Sequence, residues 1–264
     1  YYKDSGRIKM SIKIKSAREI ELMTEAGRIL DRVHRELGRK LQEGMSTADI
    51  DCLGEEIIRS FGCTPSFLGY NGYPASICVS VNEEVVHGIP DRHRIIKEGD
   101  VISLDAGVIY RGYHSDAART YILGDADEEV RKLVEVTKQS FFEGMRYAKE
   151  GYHLYDISRA IGSYARRFGY GVVRELCGHG IGTKLHEDPQ IPNFEMPRRG
   201  PKLRAGMTLA VEPMINLGTE KVRWMPDGWT VVTKDGKPSA HYENTILITT
   251  GEPKILTLSE EIIK

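Results

Sequence analysis

A faint internal repeat constrains this chain more than any other feature of its sequence. At an offset of 107 residues, Glu43-Gly44 recurs as Glu150-Gly151 and Asp49-Ile50 as Asp156-Ile157. Arg59, Phe61 and Gly62 recur as Arg166, Phe168 and Gly169, while Gly99 falls on Gly206 and Asp105 on Glu212. Ile20, Met23, Ala26, Leu30, Val33 and Leu37 have the spacing of one helical face, which predicts a helix over 17–41. A second is expected over 46–60, with Ser46 as its cap and Asp49 three residues later. Further helices are expected over 128–149 and 155–168, and strands over 77–81, 101–110, 208–215, 230–233 and 244–249. Two such units pack their sheets side by side about a pseudo-twofold axis. The expected class is therefore α+β, with two α-β halves, about 11–125 and 126–264, around one central antiparallel sheet. Matching positions would meet at the seam, which predicts Asp105 and Glu212 facing each other there. Residues 1–10 precede the first periodic pattern and read as a tag or short extension, leaving 11–264 as a single domain.

Composition excludes several partners. The net charge of −1 shows none of the basic excess of a nucleic-acid reader. No run of about 18 apolar residues exists to span a membrane. Cys52, Cys63, Cys78 and Cys177 form no C-x-x-C pair and are too few for a disulfide scaffold, so a reducing compartment is expected. Residues 1–10 contain no signal-peptide core, and the location expected is cytoplasmic.

Acids in apolar surroundings carry the chemistry. Asp105 lies in the strand-like run 101–107, and Asp116 follows a turn at 110–112. With Tyr110 and Arg111 as central turn residues, Asp105 and Asp116 would be directly opposite, their Cβ atoms about 5 Å apart. Two like charges so placed need a shared proton or a cation. Glu212 lies in Leu209-Ala210-Val211-Glu212-Pro213-Met214 and Glu243 in His241-Tyr242-Glu243-Asn244-Thr245-Ile246-Leu247-Ile248, each an acid inside an apolar strand. Buried ionised carboxylates are costly unless paired or bound to a metal. His179 lies among glycines in Gly178-His179-Gly180-Ile181-Gly182, which permits close backbone approach, and His186 follows in His186-Glu187-Asp188-Pro189. Each residue alone has an ordinary structural reading. Together, four carboxylates and an imidazole suit Mn(II), Fe(II), Co(II) or Zn(II). They exceed the three protein ligands of a single catalytic ion, whereas bridging carboxylates support two ions about 3.5–4 Å apart.

These strings, with Val81-Asn82-Glu83-Glu84-Val85-Val86-His87-Gly88-Ile89-Pro90, occur in an order that resembles the type I methionine aminopeptidases of the pita-bread fold. The resemblance implies that Asp116 and Glu243 bridge two divalent metals, that Asp105 completes one site, and that His179 and Glu212 complete the other. It implies removal of N-terminal methionine from peptides and nascent chains by a hydroxide bridging the metals. Glu212 would relay its proton, His186 would stabilise the oxyanion, and His87 would contact the scissile amide nitrogen. The methionine pocket carries over to Phe67, Tyr70, Tyr73, Cys78, Leu185 and Trp229, although some relatives have an aromatic in place of Leu185 and a small residue in place of Phe67. A monovalent cation near Asn82 and Ser239, a monomeric state and association with the ribosome are further implications. Two rivals share the scaffold: an X-Pro aminopeptidase or dipeptidase with the same ligands, and a non-catalytic binding protein, which predicts lost ligands where all five are present.

Overall fold

The computed structural model describes residues 11–258, so the tag reading of residues 1–10 lies outside the described residues. Helix α1 (Ala17–Lys40) buries the expected stripe, with Met23, Ala26, Leu30, Val33 and Leu37 nearly inaccessible. Helix α2 (Thr47–Ser60) starts as its capping signal requires. The Asp49 amide donates to Ser46 Oγ at 3.1 Å, and the Ser46 amide donates to the Asp49 carboxylate at 2.8 Å. Helices α3 (Glu128–Met145) and α4 (Leu154–Arg166) form the second pair. Helix α3 stops four residues short of the expected 149, because the chain tightens into turns in which the Tyr147 and Ala148 amides donate to Gly144 and Met145.

The repeat is physical. Gly44 and Gly151 have φ of 90° and 94°, Gly62 and Gly169 of 71° and 79°, and Gly99 and Gly206 of 87° and 89°. Each pair ends or turns a segment in the left-handed region that glycine enters without a Cβ penalty. The bridge between Ser46 and Ile95 recurs as that between His153 and Lys202, again 107 residues on. The apolar faces of α1 and α2 bury Leu30, Val33, Ile50 and Ile58 against Ile77, Ile102 and Leu104, while those of α3 and α4 bury Phe141, Leu154, Ile157 and Ile161 against Leu209, Val211 and Ile246.

The strands of the first half are β1 (Thr64–Pro65), β2 (Ile77–Val81), β3 (Glu84–Val86), β4 (Val101–Tyr110) and β5 (Tyr113–Ile122). The second half adds β6 (Gly171–Val172), β7 (Gly178–Gly180), β8 (Glu187–Ile191), β9 (Thr208–Val211), β10 (Met214–Asn216), β11 (Val222–Trp224), β12 (Val231–Thr233), β13 (Ser239–His241), β14 (Glu243–Leu247) and β15 (Lys254–Ile255). The main sheet runs β1-β4-β5-β14-β9-β7-β8, with β2 also on β4 and β15 on β14. Its pairings are antiparallel, and the halves join where β5 meets β14. Two small sheets, β13-β10-β6 and β11-β12-β3, pack beside it.

Three expectations are corrected here. The β4–β5 register places Asp105 opposite Ala118 and Asp116 opposite Gly107. The turn residues are Arg111 and Gly112, with φ of 48° and 85°, the twin positive values of a hairpin turn that matches strand twist. The slip is two residues, an even number, so Asp105 and Asp116 remain on one face as diagonal neighbours. Second, the strand expected over 208–215 is broken at Glu212-Pro213. Proline has no N–H for a ladder, and there the chain leaves β9, paired with β14, for β10, paired with β13. The partner strand breaks at Tyr242, so Glu212 and Glu243 sit where both strands change sheets. Third, Asp105 and Glu212 are not on neighbouring strands: β5 and β14 run between theirs, so Asp116 and Glu243 occupy the inner positions.

Candidate metal centre

Asp116, His179 and Glu243 offer donor atoms that all lie within 4.8 Å of one another. His179 Nε2 is 3.7 Å from Asp116 Oδ2 and 3.8 Å from Glu212 Oε1. Asp105 lies beside Asp116, close enough for each carboxyl to influence the other's ionisation. The five predicted ligands, drawn from β4, β5, β7, the β9–β10 junction and β14, are thus brought together. Asp105, Asp116, His179 and Glu243 are each no more than 9 % exposed, and Glu212 is half-buried.

Local structure fixes each side chain. The Asp116 amide donates to Thr245 Oγ1 at 2.9 Å, and the same hydroxyl donates back to the Asp116 carbonyl at 2.9 Å. The Arg119 guanidinium donates to the Glu243 carbonyl and to Asn244 Oδ1, which ties the start of β14 to β5. His179 needs glycine on both sides, since a Cβ at Gly178 or Gly180 would collide with the carbonyl of Ala210 or Asp188.

The electrostatics call for a cation. Burial pushes the Asp105 carboxyl up to about 7, and pushes those of Asp116, Glu212 and Glu243 well above the usual range, with mutual repulsion adding to each of these three. Burial holds His179 down at about 3, hence neutral. Its Nδ1 lies 2.9 Å from the Gly180 carbonyl, which only accepts, so Nδ1 carries the proton and Nε2 turns a lone pair toward the acids. Asp105 Oδ1, Asp116 Oδ1 and Glu243 Oε1 are buried with no hydrogen-bond partner. Negative oxygens facing a nitrogen lone pair repel in the absence of positive charge; the same set suits divalent cations.

The remaining predicted residues surround this group. Phe67, Tyr70, Tyr73, Cys78, Leu185 and Trp229 belong to one apolar cluster, with Ile181 and Ala210. The Tyr73 and Trp229 rings meet edge-on at 5.1 Å, and Tyr73 Oη lies 3.0 Å from the Gly88 carbonyl oxygen. Cys78 pairs with Asp105 across β2 and β4, so the pocket wall abuts the carboxylates. His87 has φ of 59° and sets its ring edge-on to Trp229 at 6.3 Å. His186 lies 4.1 Å from the His179 ring, and its Nδ1 is 2.8 Å from Tyr70 Oη. Asn82 and Ser239 also meet, through a Ser239 amide bond of 2.9 Å to the Asn82 carbonyl. A surface cleft of about 980 Å³ lined by Arg174, Phe194, Met196 and Trp224 contains none of the five candidate ligands.

His241 was missed by sequence reasoning. It is 1 % exposed and places Nε2 3.7 Å from Glu212 Oε2 and 4.0 Å from Glu243 Oε2. The available signal was its position two residues before Glu243, which the strand break at Tyr242 disguised.

The sequence matches metallopeptidase family M24 over residues 21–250. It is 52% identical over 249 residues to a methionine aminopeptidase of Clostridium acetobutylicum, covering 94% of this chain and 100% of that protein. The crystal structure of a methionine aminopeptidase from Thermotoga maritima superposes with a TM-score of 0.92 at 44% identity, covering 94% of this chain and all of that one. A Xaa-Pro dipeptidase from Bacillus anthracis shares the fold at a TM-score of 0.74 and 25% identity, with this chain matching 62% of its length. With identity this high across whole chains, this chain belongs to the methionine aminopeptidases of metallopeptidase family M24.

Proposed function

We propose that this chain hydrolyses the first peptide bond of peptides and nascent proteins that begin with methionine. One observation carries the reading: a buried set of partnerless carboxylate oxygens directly abuts an apolar pocket, through the Cys78–Asp105 pair. In this reading Asp105, Asp116, His179, Glu212 and Glu243 would together hold two divalent cations, with Asp116 and Glu243 at the centre of the set. Co(II), Mn(II), Fe(II) and Zn(II) all fit four oxygen donors and one nitrogen. Bound there, the cations supply the charge that activates water and polarises the scissile carbonyl.

The protein's own groups do the rest. Glu212, half-buried at its chain break, accepts a proton from the attacking water at its carboxylate and returns it to the leaving amine. Tyr70 Oη lies 2.8 Å from His186 Nδ1; when the hydroxyl donates there, the imidazole proton sits on Nε2, free to donate to the developing oxyanion. His87 contacts the scissile amide nitrogen from the Trp229 side. The substrate's free amine sits near Asp105, which restricts cleavage to the first residue. A thioether suits the walls formed by Tyr73, Trp229 and Cys78, because sulfur–aromatic contact contributes about 0.3–1.5 kcal/mol. The protein acts as a cytoplasmic monomer near the ribosome, with a monovalent cation held through carbonyls near Asn82 and Ser239.

Kinetics with the Mn(II)-loaded protein on Met-Ala-Ser and Ala-Pro-Ser test the assignment. The expected result is kcat/KM at least tenfold higher for the methionine peptide. A preference for the proline peptide would move the chain to the X-Pro enzymes of the same fold.

A further inference from the structure

A third buried imidazole lies against the carboxylates, outside the ligand set. His241 ends β13, opposite Met214 of β10, immediately before the break that puts Glu243 on the main sheet. Its backbone is fixed: the amide donates to Thr120 Oγ1 at 2.9 Å, and that hydroxyl donates back to its carbonyl at 2.8 Å. Its ring is not. Neither Nδ1 nor Nε2 has a hydrogen-bond partner, although the residue is almost wholly enclosed. The two other buried imidazoles are engaged, His34 through Nε2 to the Ala117 carbonyl and His179 through Nδ1 to Gly180. Leaving a buried polar group unmet is costly, so an unmet ring beside two acids marks an interaction completed when those acids are drawn into place.

His179 turns its Nε2 to Asp116 and Glu212, at 3.7 and 3.8 Å; His241 reaches a different pair. Its Nε2 instead faces one oxygen of Glu212 and one of Glu243, at 3.7 and 4.0 Å. These glutamates come from the two strands that break beside it, so neither is held by an unbroken ladder. We propose that His241 is a positioning residue of the metal centre, whose Nε2–H spans Glu212 and Glu243 and sets the direction in which both carboxylates face the cations. Such outer hydrogen bonds to ligating carboxylates typically govern metal affinity by about 10–100-fold.

The inference rests on the metal-site reading above, and the experiment separates the two. Mn(II) binding to the metal-free full chain is measured by titration calorimetry for wild type, His241→Met, His241→Ala and His241→Gln, with thermal melts of each metal-free protein. The wild type takes up two ions. His241→Met, which keeps volume but has no donor, and His241→Ala bind about 10–100-fold more weakly. His241→Gln, which retains an N–H, stays within about threefold of wild type by the same reasoning. Met and Ala variants that fold and bind as the wild type does overturn the positioning role alone. A folded Gln variant as weak as Met shows that ring shape matters rather than the N–H, and overturns it too. If Met and Ala do not fold, His241→Ser, too short to reach the glutamates, takes their place: binding about tenfold or more below Gln supports the role, and binding equal to Gln overturns it. No uptake by the wild type overturns the metal-site reading itself, and the positioning role with it.

Discussion

Removing one negative charge from the centre has opposite consequences with and without metal, and Asp116→Asn exposes both. Asp116 and Glu243 place oxygens within 4.8 Å of each other. At an effective dielectric constant of about 20, full ionisation of such a pair costs about 3.5 kcal/mol, a ceiling because protonation relieves part of it. The substitution should therefore stabilise the metal-free protein at pH 8, where the unfolded chain ionises Asp116 freely and the folded centre resists that charge. Each 1 kcal/mol gained raises the melting temperature by about 2–4 °C for a chain of this size. With metal the sign reverses. A ligand at about a hundredfold excess over its Kd adds about 2.7 kcal/mol, so Mn(II) should raise the wild-type midpoint by about 5–10 °C. The variant, lacking the bridging carboxylate, should gain little and release no methionine. Differential scanning fluorimetry with and without Mn(II) reads both effects. A metal-free variant less stable than wild type, together with an undiminished Mn(II) shift, would refute the reasoning.

Other substitutions probe the surroundings. Thr245→Val removes the hydroxyl that serves both the Asp116 amide and its carbonyl, and should cost about 1–3 kcal/mol in urea denaturation; an unchanged midpoint would mean the strand compensates. Leu185→Ala, at a 2 % exposed pocket wall, should lower the stability by about 2–5 kcal/mol and raise KM for methionine peptides more than it lowers kcat. His34 is held neutral by burial, at about 3, whereas in the unfolded chain it protonates near its ordinary value of about 6.5. Its unfolded form therefore binds the extra proton, and stability present above pH 6.5 is lost as pH falls toward 3, by about 1.4 kcal/mol per unit. His34→Gln, which can still donate to the Ala117 carbonyl, should remove that slope between pH 6 and 4; equal slopes in both proteins would contradict the assignment.

The periodic elements were legible because local chemistry dictates them. The α1 stripe and the Ser46–Asp49 cap depend on neighbours a few residues away. The repeat was legible through glycines whose positive φ each half requires. The four acids and the imidazole stood out because burying them needs a reason, and their apolar and glycine-rich surroundings are visible in the sequence. What failed was long-range or geometric. Tyr110-Arg111 and Arg111-Gly112 both look like turns, and only the twist of the paired strands chooses the second. The break at Glu212-Pro213 was signalled by the proline, yet the change of partner strand that follows belongs to tertiary structure. The offset that aligned Asp105 with Glu212 did not reveal that β5 and β14 intervene. His241 was hidden because a histidine two positions from an acid has no periodic signature.

Anomalous diffraction at the manganese edge, from crystals grown with Mn(II), tests the central claim most directly. Two peaks are expected, one flanked by Asp105 and the other by His179 and Glu212, with Asp116 and Glu243 reaching both. Peaks elsewhere on the surface, or an empty map around these five side chains, would contradict it.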